Sequence, residues 1–439
     1  MRQGSGYLDA ASSEPLHPAA RETLLAALDR GYADPRRLHG AGRDARLLLD
    51  NARAVVAECL GVRPDEVTFT SSGTDAVHRG LLGLRHRSDA PVTRTAVEHS
   101  SVVHAVHWAE APTTVVPVDR LGRVEPTAFT GTVGVVAVQA ANHEVGTRQP
   151  VAAVADAAGG VPVFVDACAA MGREPLPEGW DVLAGSAHKW GGPAGVGVLL
   201  VRKGTLWTNP FPDDDRGDDR ATGFENVPAA LAAAAALRAV VEERDEVGAR
   251  QRTLVDRIRQ VAAEIPDVEV VGDPDDRLPH LVTFSCLYVD GEAIVTELDR
   301  RGYGVASGSA CTASTLAPSL VLEAMGATPR TGGGGRVAAW AMSQAVPMLL
   351  RKADGRVLVW VWKDDPELVV ALAQVHQATP QLRAARAMMP MEYDDSEDFL
   401  ARRRDPDLVG SAQLILGHGA LLERQRVTPG EFKDHVVGD

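Results

Sequence analysis

The feature that most constrains the fold is an alternation of short apolar segments with longer segments rich in alanine and leucine, from residue 20 to residue 240. The apolar segments have the length of strands and are rich in β-branched residues, whereas the others have the length of helices. This alternation is typical of a parallel sheet that helices cover on both faces. We therefore predict an α/β domain over residues 21–244, with functional groups where its strands end.

The individual elements can be placed from the same pattern. Strands are predicted at residues 66–71, 91–97, 133–140, 162–166, 182–185 and 195–201. Helices are predicted at residues 151–158 and 228–238, and helical periodicity continues to residue 265.

A shorter set of segments follows this long helical stretch. Strand patterns at residues 268–271, 281–286 and 304–307 surround a helix pattern at residues 292–301. This βαβ-like set predicts a smaller α+β domain, formed by residues 245–345 together with residues 1–20. Residues 346–439 form a C-terminal extension, with a strand pattern at 357–362, a helix pattern at 366–377 and an acidic block at 392–398 that is typical of a solvated linker.

Charge and cysteine usage exclude several classes of protein. The chain has 45 Lys and Arg against 59 Asp and Glu, a net charge of −14, which disfavours binding to nucleic acid or to an anionic membrane. It has no apolar run of the roughly 18 residues that a membrane span needs, and no signal-peptide core at its N-terminus. Its four cysteines are scattered, with no CxxC pair. We therefore expect a reduced, cytoplasmic protein without a disulfide framework or a metal site.

A lysine in a loop of small residues follows one of the predicted strands. Lys189 lies in the segment GSAHKWGGP. Alone, such a lysine is most often a solvated surface charge, and only its neighbours favour a reactive amine. Asp166 ends the earlier strand VPVFVD, where a carboxylate can hold a ring nitrogen protonated or can cap a helix.

Two further segments offer groups for an anionic, flat ligand. Gly73 and Thr74 lie in TSSGTDA, which follows a strand and opens a helix. Such a turn presents free backbone N–H groups to a phosphate, although an ordinary capped turn has the same pattern. His99 ends another strand and can either stack on a flat cofactor or serve a structural role. Together with the lysine and the acid, these groups suit pyridoxal phosphate.

The order and spacing of these segments resemble the fold-type I, class-V aminotransferase group, and within it the cysteine desulfurases of the NifS/IscS type. The resemblance covers residues 6 to 340. It is carried by YLDAA at residue 7, which is similar to the opening strand of the family, by NHEVGTRQP at residue 142 and by SAHK at residue 186. It implies a fold-type I pyridoxal-phosphate enzyme with Lys189 as the amine that holds the cofactor. The cofactor contacts that it implies are Gly73, Thr74, His99, His143, Asp166, Ser186, His188 and Lys189.

A cysteine loop distinguishes desulfurases from other members of the group. Cys311 lies in ASGSACTAS, followed by PSLVLEAMG, which resembles the loop of the nucleophilic cysteine. Small neighbours leave such a thiol free to swing towards a substrate. The resemblance also implies catalytic roles for Cys311 and His99 and substrate contacts from Asn142 and Arg336, although Arg336 is followed by VAAW rather than by the family's serine and leucine pattern.

Three positions depart from the family pattern. Ala169 replaces a glutamine that, in the family, donates a hydrogen bond to the phenolic oxygen of the cofactor. His143 replaces the second asparagine of an Asn-Asn-Glu segment, and Phe224 replaces a threonine that contacts phosphate across the dimer. A fourth residue, Cys168, is interpreted as a packing residue because it lies in an alanine-rich run.

The resemblance implies a homodimeric enzyme that converts L-cysteine to L-alanine and passes sulfur, as a persulfide on Cys311, to an acceptor protein or a small thiol. Selenocysteine cleavage, class-V transamination and a weakly active sulfur-relay scaffold remain alternatives. The segment GHGALLE at residue 417 faintly resembles part of a sulfur-carrier domain, but Cys311 is the last cysteine of the chain. We therefore expect no sulfur relay by the extension.

Overall fold

A seven-stranded sheet forms the centre of the larger part of the protein in the computed structural model, which describes residues 6–85, 90–212, 220–286, 291–307 and 319–327, and the backbone of 337–341, 348–353 and 356–361. Its strands are β1 Val67–Thr70, β2 Val92–Thr95, β3 Thr113–Val116, β4 Val135–Gln139, β5 Val163–Asp166, β6 Val182–Ser186 and β7 Gly197–Val201. Their order across the sheet is β1-β7-β6-β5-β4-β2-β3.

Strands β2 to β6 run parallel to one another, and β7 runs antiparallel to both β1 and β6. The register pairs Gln139 with Asp166 and Asp166 with Ala184. The carboxyl ends of the three central strands therefore lie side by side at one edge of the sheet. Loops that leave these strands can build one common site there.

Both faces of the sheet are covered by helices. The helices of the described residues are α1 Pro18–Arg30, α2 Gly40–Leu60, α3 Gly73–Arg85, α4 Ser100–Trp108, α5 Val151–Ala158, α6 Val227–Ala263, α7 Gly291–Arg300 and α8 Leu320–Ala324. Alternate residues of β4 enter different cores: Val136 packs with residues of α2, α5 and α6, whereas Val135 packs with residues of α3 and α4. This alternation follows from the two-residue period of a strand and confirms the predicted α/β class with a mostly parallel sheet.

A smaller antiparallel sheet lies in the second half of the chain. It contains β8 Val268–Val271, β9 Leu281–Cys286, β10 Ala306–Ser307 and β11 Val337–Ala341, in the order β10-β11-β9-β8. A separate hairpin joins β12 Met348–Ala353 to β13 Arg356–Val361. Because β9 and β10 both pair antiparallel with β11, they run parallel to each other around α7, as the βαβ-like pattern predicts.

Helix α6 is continuous over 37 residues. Its first part, including Ala233 and Leu237, packs in the core of the large sheet, and its last part, including Val255 and Ile258, packs with the small sheet. The predicted boundary at residue 245 lies between these two contacts, inside the helix, and the division into domains stays a prediction.

The sequence pattern differs from the structure in a few places. Several predicted strands are one or two residues too long at an end, and the strand predicted at 182–185 is one residue too short. Strand β3 was not predicted because its residues Thr113, Thr114 and Val115 are exposed at the edge of the sheet. The helix predicted at 366–377 lies outside the described residues. Within the part of the chain that the structure describes, no helix has both the length and the apolar character needed to cross a bilayer.

Candidate active site

A cavity of about 280 Å³ opens at the carboxyl ends of β1, β2, β4, β5 and β6. Five separate loops reach this cavity because the parallel strands end at the same edge. All eight residues expected to contact a cofactor line it: Gly73, Thr74, His99, His143, Asp166, Ser186, His188 and Lys189.

The lysine is held by a single tight turn. Strand β6 ends at Ser186, and residues 187–189 form one turn of 3-10 helix. The backbone carbonyl of Lys189 accepts a hydrogen bond of 3.3 Å from the guanidinium of Arg173, which is itself buried against Glu14. The neighbouring His188 has its pKa lowered by burial and by the positive charge of Lys189. The turn therefore fixes the backbone of Lys189 at the wall of the cavity.

The start of α3 lies unusually close to this turn. A Cβ atom on Gly73 would lie 2.5 Å from the Cβ of Ser186 and 3.2 Å from the sulfur of Cys168, so only glycine permits the approach. The hydroxyl of Ser72 accepts a hydrogen bond of 3.0 Å from the backbone of Asp75 and caps the helix. The turn is thus both a capped helix start and a wall of the cavity, with Thr74 exposed beside it.

Asp166 is buried at the end of β5, with 6% of its surface exposed. Its Oδ1 accepts a hydrogen bond of 2.9 Å from the backbone N–H of Cys168. The residues that follow form turns rather than a helix, so the alternative role of Asp166 as a helix cap is wrong. This hydrogen bond holds the carboxylate of Asp166 in a fixed orientation at the cavity wall.

Cys168 also lines the cavity, in addition to packing against the core around α3. Burial, reinforced by the charge of Asp166, raises the pKa of its thiol well above the usual range. The interpretation of Cys168 as a packing residue is therefore incomplete, but the chemistry is that of an unreactive thiol.

Two histidine rings form one side of the cavity. The Nδ1 of His99 accepts a hydrogen bond of 3.1 Å from the backbone of Ser101 and caps α4. The ring of His143 meets that of His99 edge-on, with centroids 4.8 Å apart at 78°. His99 therefore has the structural role and the cavity-lining position at the same time.

Asn142 is not part of the cavity wall. Its side chain is fully buried, its Nδ2 donates to the carbonyl of Val97 at 3.2 Å, and its Oδ1 accepts from the backbone N–H groups of Glu144 and Val145 at 2.8 and 2.9 Å. These bonds hold the 142–150 loop together and leave the amide no free group for a substrate. The expected substrate contact of Asn142 has no support in this geometry, and the adjacent His143 lines the cavity instead.

Cys311 and Arg336 lie outside the described residues, but both described flanks of the cysteine loop are at the cavity. Ala306 lines the cavity directly. Ser319 donates a hydrogen bond of 2.5 Å to Glu144, another residue of the cavity wall. The described residues on the two sides of the segment that contains Cys311 therefore lie at the cavity wall or bonded to it.

Several groups at the site were not identified from the sequence. Asp9 and Ser12 line the cavity from the N-terminal segment, which pairs with residue 304 far along the chain. Burial raises the pKa of Asp9 to about 6. In the sequence, only the YLDAA segment points to Asp9. The distance of this segment along the chain from the other site residues follows no known pattern, so it does not predict that Asp9 reaches the cavity.

Glu98 is a second acid that the sequence did not single out. It is 6% exposed, and its Oε1 accepts hydrogen bonds from the hydroxyl of Thr95 at 2.6 Å and the backbone of Gln139 at 3.0 Å. Its Oε2 is buried without a hydrogen-bond partner among the described residues. Burial, with a smaller contribution from the charge of Asp166, raises the pKa of Glu98 to about 8.

The fold and the cavity define the class of the protein as an α/β enzyme of fold-type I, in which one edge of a mostly parallel sheet carries the lysine and the acid. A profile of the aminotransferase class-V family matches residues 6–332. A solved structure titled as a NifS-like protein superimposes with a TM-score of 0.72 at 24% identity, covering 85% of this chain and 99% of that one. This likeness supports the fold.

Curated relatives give the more specific placement. The chain is 37% identical over 343 residues to an IscS-like cysteine desulfurase of Mycobacterium tuberculosis, covering 73% of this chain and 87% of that protein. It is 33% identical over 335 residues to the cysteine desulfurase IscS of Dictyoglomus turgidum, covering 73% and 85%. The chain therefore belongs to the class-V aminotransferase family, in its group of NifS/IscS-like cysteine desulfurases.

Proposed function

We propose that this protein is a pyridoxal-phosphate-dependent cysteine desulfurase, which converts L-cysteine to L-alanine and keeps the sulfur as a persulfide on Cys311. The observation that carries the proposal is the cavity in which the amine of Lys189, the buried carboxylate of Asp166 and the start of α3 come together. Among the reactions of class-V aminotransferases, membership of the cysteine desulfurase group favours removal of sulfur from cysteine.

The cavity residues fit the cofactor. The first backbone N–H groups of α3 and the hydroxyls beside them suit its phosphate, and Gly73 leaves that approach open. Asp166 is the carboxylate for its ring nitrogen, and His99 is the flat ring beside it. When bound, pyridoxal phosphate supplies an aldehyde that condenses with amines and a ring that withdraws electrons from the attached carbon.

The residues of the chain then have separate tasks. The amine of Lys189 would hold the cofactor, and it would accept and return a proton at the α carbon of the substrate. Asp166 would hold the ring nitrogen protonated through the negative charge of its carboxylate, which the backbone N–H of Cys168 orients. We assign Arg336 to the substrate carboxylate, since a guanidinium can pair with it through two hydrogen bonds.

Sulfur transfer is assigned to Cys311. Its thiolate attacks the sulfur of the substrate, a new S–S bond forms, and the bond between that sulfur and the β carbon breaks. The electron pair of the broken bond stays with the β carbon, and a proton completes alanine. The persulfide then passes its outer sulfur to a thiol of an acceptor protein or of a small molecule, a step that follows ordinary thiol exchange.

We further propose a homodimer. Its support is a pair of exposed aromatic rings: Tyr32 and Phe224 are 48% and 50% exposed, and their centroids lie 6.4 Å apart. Phe224 is the residue that replaces a threonine placed at the dimer in the family. A cytoplasmic location is proposed from the four scattered cysteines, which form no CxxC motif.

Covalent labelling tests the assignment of the cofactor. Borohydride reduction of the purified protein, followed by peptide mapping, is expected to place a pyridoxyl group on Lys189, and Lys189→Ala is expected to remove it. A pyridoxyl group on another lysine, or on none, would contradict the proposal.

A further inference from the structure

A second, much smaller cavity adjoins the first one behind Lys189. His143, Ala169 and Lys189 line both cavities, and the buried His280 lines the small one only. The space open to the centre of a water molecule is about 10 Å³, which is the size of a site for one water. The two cavities therefore meet at the position where the short side chain of Ala169 replaces a glutamine of the family.

Two ring nitrogens at this small cavity are buried without a hydrogen-bond partner among the described residues. They are the Nδ1 of His143 and the Nδ1 of His280. His280 is only 3% exposed. Buried polar atoms are paired in the great majority of cases, and exceptions often mark a bound water or ligand. Two such atoms at one cavity of this size point to a shared occupant.

The charges around His280 determine which hydrogen bonds its ring can make. Burial, reinforced by the positive charges of Arg173, Lys189 and Arg277, lowers the pKa of His280 well below 6.5. The ring is therefore neutral at physiological pH, with one nitrogen as donor and the other as acceptor. A neutral ring can orient a water molecule in either direction.

We propose that the small cavity holds one ordered water, which bridges the ring nitrogens of His143 and His280. This water would donate a hydrogen bond towards the phenolic oxygen of the cofactor, in place of the absent glutamine. His280 is then a positioning residue that acts through the water. This inference rests on the proposed function, because it needs the cofactor on Lys189.

The test is a double-mutant cycle between positions 280 and 169. His280→Phe keeps a planar ring and removes both ring nitrogens, whereas Ala169→Gln places an amide in the small cavity. Loss of one ordinary hydrogen bond corresponds to cofactor release that is about 2- to 10-fold faster in His280→Phe. In the Ala169→Gln background the same change is expected to alter release less than about twofold, because the amide has displaced the water.

The absorbance maximum of the bound cofactor is a readout that a merely structural role would not move. It depends on hydrogen bonding to the phenolic oxygen, so we expect a shift in His280→Phe and its reversal in the double variant. His78→Phe is the matched control, because His78 also has a buried, unpartnered ring nitrogen but lines neither cavity. Its release rate and spectrum should be those of the unmodified protein. If His280→Phe does not fold, His280→Leu removes the same nitrogens with a smaller side chain.

The outcomes separate this inference from the proposed function. A protein that takes up cofactor on Lys189, with release and spectrum unchanged in the folded position-280 variant, overturns the water bridge and leaves the proposed function standing. Equal effects of the position-280 change in the unmodified protein and in the Ala169→Gln background also overturn it. A protein that takes up no cofactor overturns both.

Discussion

At the scale of single residues, the fold strongly changes the ionisation of Glu98. It lies one residue before His99, beneath the cavity, and its pKa is raised from 4.5 to about 8 by burial. The protonated acid is therefore favoured in the folded protein. Between these two pH values the folded state binds more protons than the unfolded chain, so the stabilisation is complete below pH 4.5 and is lost as the pH rises to about 8.

We predict that Glu98→Gln removes this pH dependence, because the amide mimics the neutral acid. As the pH rises from 4.5 to about 8, the free energy of unfolding of the unmodified protein should fall relative to that of the variant. The largest expected slope is about 1.4 kcal/mol per pH unit. Urea unfolding at pH 5, 6, 7 and 8 measures it. The exposed Glu22→Gln is the control. Parallel curves for Glu98→Gln and the unmodified protein would show that Glu98 is charged when folded.

A second prediction at this scale concerns the close approach at Gly73. Gly73→Ala forces a Cβ against the Cβ of Ser186, only 2.5 Å away. We expect a loss of about 1–3 kcal/mol in unfolding free energy, together with weaker cofactor binding. Gly248→Ala is the matched control, since its Cβ would meet only Pro279 at 3.8 Å within α6. It should gain about 0.5–1 kcal/mol from helix propensity. Equal effects of the two changes would contradict the account of the α3 start.

At the scale of elements, a buried ion pair ties the N-terminal segment to the lysine turn. The side chains of Arg173 and Glu14 are 8% and 11% exposed, and Arg173 also bonds the carbonyl of Lys189. Burial raises the pKa of Glu14, and the charge of Arg173 opposes this change. The charge of Arg173 therefore opposes protonation of Glu14, and the pair orients the turn that carries Lys189.

Arg173→Met is expected to destabilise the protein by about 3–5 kcal/mol, because Glu14 is left buried without its partner. The double variant Arg173→Met, Glu14→Leu should lose less than Arg173→Met alone. Thermal and urea unfolding measure both. Arg238→Met breaks an exposed pair with Glu58, whose side chains are 47% and 75% exposed, and should cost about 1 kcal/mol or less. A double variant as unstable as the single one would contradict the role of the pair.

The sequence pattern predicts elements well where burial dictates the residue type. The strand at β4 is a run of buried valines and alanine, and its prediction is confirmed within two residues. Strand β3 was missed because three of its four residues are exposed and carry no apolar pattern. The helix pattern at 228–238 and the helical periodicity that continues to residue 265 correspond to the single helix α6, Val227–Ala263.

At the scale of the whole molecule, the site combines residues that local motifs mark with residues that only the topology brings in. Lys189 and Gly73 lie in recognisable turns, and the structure places both at the cavity. Asp9 and His280 reach the site from distant parts of the chain, and no spacing connects them. Asn142 is the opposite case, a residue that a motif marks but that does not reach the cavity. Its amide is fully occupied by hydrogen bonds to backbone groups, which the motif does not reveal.

The C-terminal extension provides a prediction for the chain as a whole. Residues after Cys311 contain no cysteine, so the extension cannot carry a persulfide. A chain truncated before Glu392 should therefore keep turnover of L-cysteine with a small-thiol acceptor, as measured by sulfide release. A truncated protein that is folded and cofactor-loaded but inactive would show that the extension contributes to the active site.

The central claim is that Lys189 and Cys311 divide the reaction between them. The most direct measurement is to incubate the purified protein with L-cysteine, quantify alanine, and map protein-bound sulfur by peptide mass spectrometry. We predict alanine formation with one added sulfur on Cys311, neither product from Lys189→Ala, and no bound sulfur but an intact cofactor spectrum from Cys311→Ala. Undiminished alanine formation by Lys189→Ala, or added sulfur found on Cys59, Cys168 or Cys286 in place of Cys311, would contradict the account.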